Sequence, residues 1–170
     1  DIVHNMQKEG RAGTDLWLDT IPGIQQHAFI YPPIFFYLLF LWSKIVSLTI
    51  GNQRLLSVIA GSFSLFIIYR IMKQIRFNTI LSILTSLSLL SVNYIFIKAS
   101  KISRPEIFVL TFGLLTIYYF LKWLSRKNVN NLKYLIISIV CSSLATLTHL
   151  IGIMFIISLV LSIAFLKIPT

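Results

Sequence analysis

The stretch YLIISIVCSSLATLTHLIGIMFIISLVLSIAFL, Tyr134 to Leu166, decides the fold. It holds no Asp, Glu, Lys or Arg, and His149 stands alone near its middle. A helix that crosses a bilayer needs about 20 apolar residues, with about 17 as a lower limit. These 33 residues are too many for one crossing. They predict two helices folded back on one another near His149 to Gly152. The same apolar pattern recurs at Leu55 to Tyr69, Thr79 to Ile97 and Ile107 to Leu121, with a further run from Ile34 to Ile50. The whole chain is 56% hydrophobic and 12% charged, whereas about a quarter of the residues in a soluble domain carry charge. Lipid is the solvent such a chain is built for.

The fold class expected is all-α, a polytopic transmembrane helical bundle with helices at about 55–71, 79–97, 106–122, 134–148 and 151–167. Residues 1–53 read as an extracytoplasmic loop that carries an amphipathic juxtamembrane helix at 34–50. That segment is 17 residues long, has Lys44 beside Trp42 and Ser43, and opens with Pro32-Pro33. Proline suits a helix start because no helical hydrogen bond is lost there. If the segment spans, residues 1–33 lie opposite the Lys98 to Glu106 loop. If it lies along the interface, the reading favoured here, both are outside. In the helix at 79–97, Thr79, Ser82, Ser86 and Asn93 fall within a narrow arc, read as a packing stripe in preference to a substrate path. The chain begins with Asp, carries no leader pattern and ends in Lys167-Ile-Pro-Thr, so it reads as an internal stretch of a longer protein. Cys141 is alone, so no disulfide forms within the chain.

The formal net charge of +10 would point to nucleic acid in a soluble protein. Here the cations sit at helix ends, as in Arg70, Lys73 and Arg76 or Lys122, Arg126 and Lys127, where they snorkel and set topology. No nucleic-acid partner is expected. With those segments, Lys133 and Lys167 inside, the inner loops hold eight cations and no acid. The outer segments then hold seven cations and all five acids, Asp1, Glu9, Asp15, Asp19 and Glu106. Tyr118, Tyr119, Trp123 and Tyr134 flank one inner loop as an aromatic belt.

Three polar clusters are expected on the outer face: His27 to Pro33, Lys98 to Glu106, and Thr148-His149. Lys98, Lys101 and Arg104 stand where the inside bias would not put them. Ammonium and guanidinium groups bind phosphate oxygens through charge-assisted hydrogen bonds, so the three are candidates for an anionic headgroup, with snorkelling as the alternative. Glu106 supplies a carboxylate at the same mouth; it is otherwise an acid at a helix start. His149 reads either as a turn residue or as a phosphate donor and proton carrier. There is no His/Cys spacing for a metal, no Gly-rich phosphate loop and no nucleophile elbow.

In this order the motifs resemble the GT-C superfamily of membrane glycosyltransferases, the group with protein O-mannosyltransferases and lipid A aminoarabinose transferases. The residues that carry the resemblance are an outer helix at Asp1 to Gly10, Tyr31-Pro-Pro-Ile-Phe-Phe-Tyr37, Ser103-Arg104-Pro105-Glu106 and Leu147-Thr148-His149. The resemblance implies transfer of a sugar from a polyprenyl phosphate or diphosphate to an acceptor lipid, glycan or protein, on the extracytoplasmic face of a multi-pass membrane protein, in the inner membrane if prokaryotic. It implies Glu106 as the acid near the site, with the main catalytic base upstream of residue 1, so that this stretch is inactive alone. Arg104, His149, Lys101 and Lys98 would hold the donor phosphate, and Tyr31, Pro32 and His27 would shape the pocket. Ile30 and Tyr31 stand where relatives often carry His, Lys or Glu, so no metal site is expected in that loop; the lipid-linked donor is the ligand implied. A transporter or flippase of lipid-linked sugars is the rival reading, and it calls for ionisable residues near the bilayer midplane. A structural subunit is a further rival, in which the clusters would be unrelated loops.

Overall fold

The computed structural model describes residues 2–10, 12–14, 32–47, 49–75, 80–125 and 132–165, apart from the side chains of Ser82 and Leu89. Among these residues the protein is all-α, with no strand. The helices are α1 (Ile2–Lys8), α2 (Ile34–Ser43), α3 (Ile50–Gln74), α4 (Ile80–Ser91), α5 (Tyr94–Lys101), α6 (Glu106–Leu124), α7 (Leu132–Thr148) and α8 (Ile153–Phe165). A 3-10 turn at Leu150–Gly152 joins the last two. Two of these helices, α3 and α6, are long and apolar enough to cross a membrane.

Helix starts follow local chemistry. Pro33 and Pro105 stand at the caps of α2 and α6, where a missing N–H is no loss. The Pro105 carbonyl accepts the N–H groups of both Phe108 and Val109 at 3.0 Å. Thr49 caps α3, its Oγ1 accepting the Asn52 N–H at 3.2 Å. That start lies inside the apolar run 34–50, where a single helix is expected and where α2 has already ended at Ser43. The observed α2 has ten residues, about 15 Å at 1.5 Å per residue, half of a hydrocarbon core of about 30 Å. Its sequence IFFYLLFLWS is apolar on every side, so α2 is not the amphipathic helix expected.

The run 79–97 also differs from expectation. It breaks into α4 and α5 at Val92 and Asn93. The Asn93 side chain accepts the Phe96 N–H at 3.1 Å and starts a new helix. Asparagine offers the backbone such an alternative partner, which is why it favours caps over helix interiors. It therefore leaves the expected polar stripe, of which Thr79 lies outside the described residues.

The centre of the bundle is α3, α6 and α7, with α6 between the other two. What α3 and α7 bury is mostly small and often hydroxylated. α3 buries Ser57, Ala60, Gly61, Ser64 and Ile67, spaced three or four apart on one face. α7 buries Ser138, Cys141, Ser142, Ala145 and Thr148 with similar spacing. Outward go Leu55, Val58, Ile59, Phe63 and Phe66 on α3, and Ile136, Ile139, Val140 and Leu147 on α7. Water would drive those side chains inward. In lipid they lose nothing by facing out, and small residues let backbones approach. Accordingly Ser64 Oγ and Thr111 Oγ1 lie 2.8 Å apart between α3 and α6, and Ser138 Oγ donates to the Thr116 carbonyl at 2.8 Å between α7 and α6. Several hydroxyls also bond the carbonyl four residues back in their own helix: Ser64 to Ala60, Thr111 to Ile107, Thr116 to Phe112 and Thr148 to Leu144.

Candidate functional site

α6 sets the site, because Glu106 is its first residue. A cluster of Val3, Phe35, Leu39, Ala60, Ile107 and Phe108 anchors that end of the helix. Phe35 packs against Phe108 with ring centroids 5.6 Å apart, which brings the start of α2, and Pro32 just before it, to the Glu106 end. α7 runs antiparallel to α6: Ser138 meets Thr116, and about ten residues farther along each helix stand Thr148 and Glu106. His149 therefore lies at the same end as Pro32 and Glu106. Tyr31 and His27 lie outside the described residues.

α5 is held against α3 at a point of close approach. A Cβ added to Gly61 would stand 2.5 Å from Ser100 Oγ and 3.0 Å from its Cβ. Fixed in this way, α5 presents Tyr94, Ile95, Lys98 and Ala99 to an open cavity of about 300 Å³, which Ile102, Arg104 and Glu106 complete. That volume is at the small end of ligand sites. Lys98 Nζ stands 5.8 Å from the Tyr94 ring centre. Arg104 Nη1 lies 3.5 Å from Glu106 Oε1, with both side chains partly exposed. An exposed pair of this kind adds only about 0–1 kcal/mol to stability, so its placement matters more than its strength.

The two carboxylate oxygens of Glu106 are unequal. Oε1 faces Arg104, while Oε2 is shielded and has no hydrogen-bond partner. Ser103 Oγ beside it and Ser57 Oγ on α3 are likewise buried without partners. Buried polar atoms in folded proteins are normally satisfied, and such orphans gather here where α3 meets the α5–α6 connection.

Of the residues expected in the site, the structure brings together Lys98, Arg104 and Glu106. Lys101 is exposed on α5 and does not line this cavity. His149 is not part of it either; its Nδ1 accepts the Ile151 N–H at 3.3 Å and starts the 3-10 turn. Tyr94, Ile95 and Ile102 were not singled out in the sequence. For Tyr94 and Ile95 the signal was available, since each stands one helical turn before Lys98; Ile102 lies just past the end of α5 in extended backbone. Among the described residues no group of three His, Cys, Asp or Glu gathers closely enough to hold a metal ion.

The cavity thus offers two cations, one carboxylate and an apolar wall at the end of a bundle whose outer surface is lipid-like. No curated protein and no solved structure matches the chain. The family described as dolichyl-phosphate-mannose-protein mannosyltransferase matches residues 31–169. The chain belongs to that family of membrane-embedded glycosyltransferases, which is of the GT-C type.

Proposed function

We infer that this protein transfers a sugar from a polyprenyl-phosphate-linked donor to an acceptor hydroxyl on the extracytoplasmic side of the membrane, within a bundle of about five crossings. One observation carries the reading. Lys98 and Arg104 face one cavity with Tyr94, Ile95 and Ile102, so a phosphate and the first part of an apolar chain find complementary surfaces side by side. In the transfer, the bond from the anomeric carbon to the phosphate oxygen breaks and the phosphate leaves with the electron pair. The bond to the acceptor oxygen forms, and the acceptor proton passes to a carboxylate base. Lys98 and Arg104 stabilise charge that grows on the leaving phosphate, the kind of electrostatic assistance that fixed cations provide. Glu106 holds the Arg104 guanidinium in place through Oε1 and is a positioning residue. Lys101, one turn along from Lys98, adds to the positive field around the phosphate, and His149, at the same end of the bundle, offers its remaining ring nitrogen as a hydrogen-bond donor.

The test is transfer from a defined polyprenyl-phosphate sugar by the full-length protein in membranes. A hydrogen bond to a charged group contributes about 1.5–3 kcal/mol, so Arg104→Ala is expected to raise the donor KM by roughly 10- to 100-fold. Glu106→Gln is expected to raise donor KM more than it lowers kcat, with Glu106→Asp recovering part of the loss. Wild-type kinetics in both Arg104→Ala and Glu106→Gln, at normal membrane levels, would remove these residues from the site.

A further inference from the structure

The far end of α6 carries a second arrangement that the transfer reaction does not use. Sixteen residues separate Glu106 from Lys122, about 24 Å along the helix. There Arg70 of α3 donates from Nη2 to the Tyr118 hydroxyl at 3.1 Å and lies 5.8 Å from that ring's centre. Lys122 Nζ stands 5.5 Å from the same Tyr118 ring and 4.8 Å from the Tyr134 ring of α7. Lys133 Nζ is 5.2 Å from Tyr134. Tyr119 stacks on Tyr134 at 6.3 Å and meets Tyr118 edge-on at 5.2 Å. Three cations from three helices are therefore fixed around two aromatic rings, which attract them through their negative faces.

Among the described residues, the helices that form this cluster hold no carboxylate but Glu106. The five acids of the chain are Asp1, Glu9, Asp15, Asp19 and Glu106. Glu106 is at the other end of α6, and none of the others lies within the helices that form this cluster. Snorkelling lysines on long, free stems would spread apart to lower their repulsion. Here a shared pair of rings holds them together instead. Arg70 and Lys133 remain exposed, so the charge is presented outward.

We propose that Arg70, Lys122 and Lys133, framed by Tyr118 and Tyr134, form a binding site for the phosphate of an anionic phospholipid headgroup at the end of the bundle opposite the Lys98–Arg104 cavity. The two tyrosine rings give the apolar shoulder that a headgroup next to acyl chains needs. Basic groups set between helices at a membrane surface bind anionic headgroups in this manner.

The site is tested on the full-length protein reconstituted in phosphatidylcholine vesicles, with every tryptophan but Trp123 replaced by Phe, so that Trp123, beside Lys122, is the reporter. Brominated phosphatidylglycerol and brominated phosphatidylcholine are compared as quenchers at equal mole fraction. A basic residue near an anionic surface adds about fivefold in affinity, so the anionic phosphatidylglycerol should quench Trp123 several times more strongly than the zwitterionic phosphatidylcholine. Arg70→Gln with Lys122→Gln and Lys133→Gln should abolish that preference, while Lys122→Arg with Lys133→Arg should keep it. Equal quenching by the two lipids overturns the proposal, as does a preference that survives in the triple Gln variant. If inorganic phosphate at constant ionic strength removes the preference, the cluster recognises free phosphate and the headgroup assignment falls. None of these outcomes depends on sugar transfer.

Discussion

Gly61 is the residue on which the position of the cavity turns. Nothing but hydrogen fits between its Cα and Ser100, and Ser100 lies one turn from Phe96, whose carbonyl its Oγ bonds at 2.8 Å. A methyl group at 61 forces α5 away from α3. Overpacking of this kind typically lowers stability by about 1–3 kcal/mol, so Gly61→Ala should lower the midpoint of thermal unfolding in detergent. Ser100→Gly should restore most of the loss in the double variant, since the strain is shared by one pair. A single variant that unfolds like wild type would show that the two helices do not meet there. Arg104 and Glu106 were legible in the sequence because they stand two apart beside a helix-starting proline. The fate of His149 was not: whether an imidazole faces a ligand or caps its own turn depends on a backbone angle that composition does not reveal.

At the scale of the helix, hydroxyls and amides inside apolar runs decide where elements end. Thr49 and Asn93 both lie in stretches that hydropathy alone reads as continuous, and each caps a new helix by accepting a backbone N–H three residues on. The apolar runs themselves were visible because lipid demands length and little charge. The breaks were not, since a single capping side chain barely changes the average of a window. Asn93→Ala removes one such cap, a change that typically costs about 1 kcal/mol. Faster hydrogen exchange at the first amides of α5, with α6 unaffected, is the expected result. Unaltered exchange at Ile95 and Phe96 would mean that the cap is idle. Because α4 has only 12 residues, about 18 Å, a crossing of a core about 30 Å thick requires α5 as its continuation.

For the molecule as a whole, the reversal of side-chain size is the organising fact. On α3 and α7 many large apolar groups face out, while serine, threonine, glycine and alanine make up most of what faces in. The all-α class could be read from the sequence through the outward groups. The partners of each helix could not, because serine and threonine are spread over several faces and only the folded chain selects the ones that meet. Ser64 and Thr111 are one such pair, 2.8 Å apart. Interhelical hydrogen bonds in membranes average about 0.6 kcal/mol and reach about 1.7. A double-mutant cycle of Ser64→Ala and Thr111→Val, read by unfolding in detergent, should return a coupling in that range; a coupling of zero would leave the contact without energetic weight.

Since Ser64, Thr111, Thr116 and Thr148 each bond a carbonyl within their own helix, those hydroxyls need no neighbour in order to be satisfied. A helix that rests in the bilayer before assembly can therefore do so with these four hydroxyls already matched. For these four groups assembly has no unmet polar atom to relieve, which leaves close packing as what it gains. A helix that arrives early can wait for its partners without exposing a grievance to the lipid.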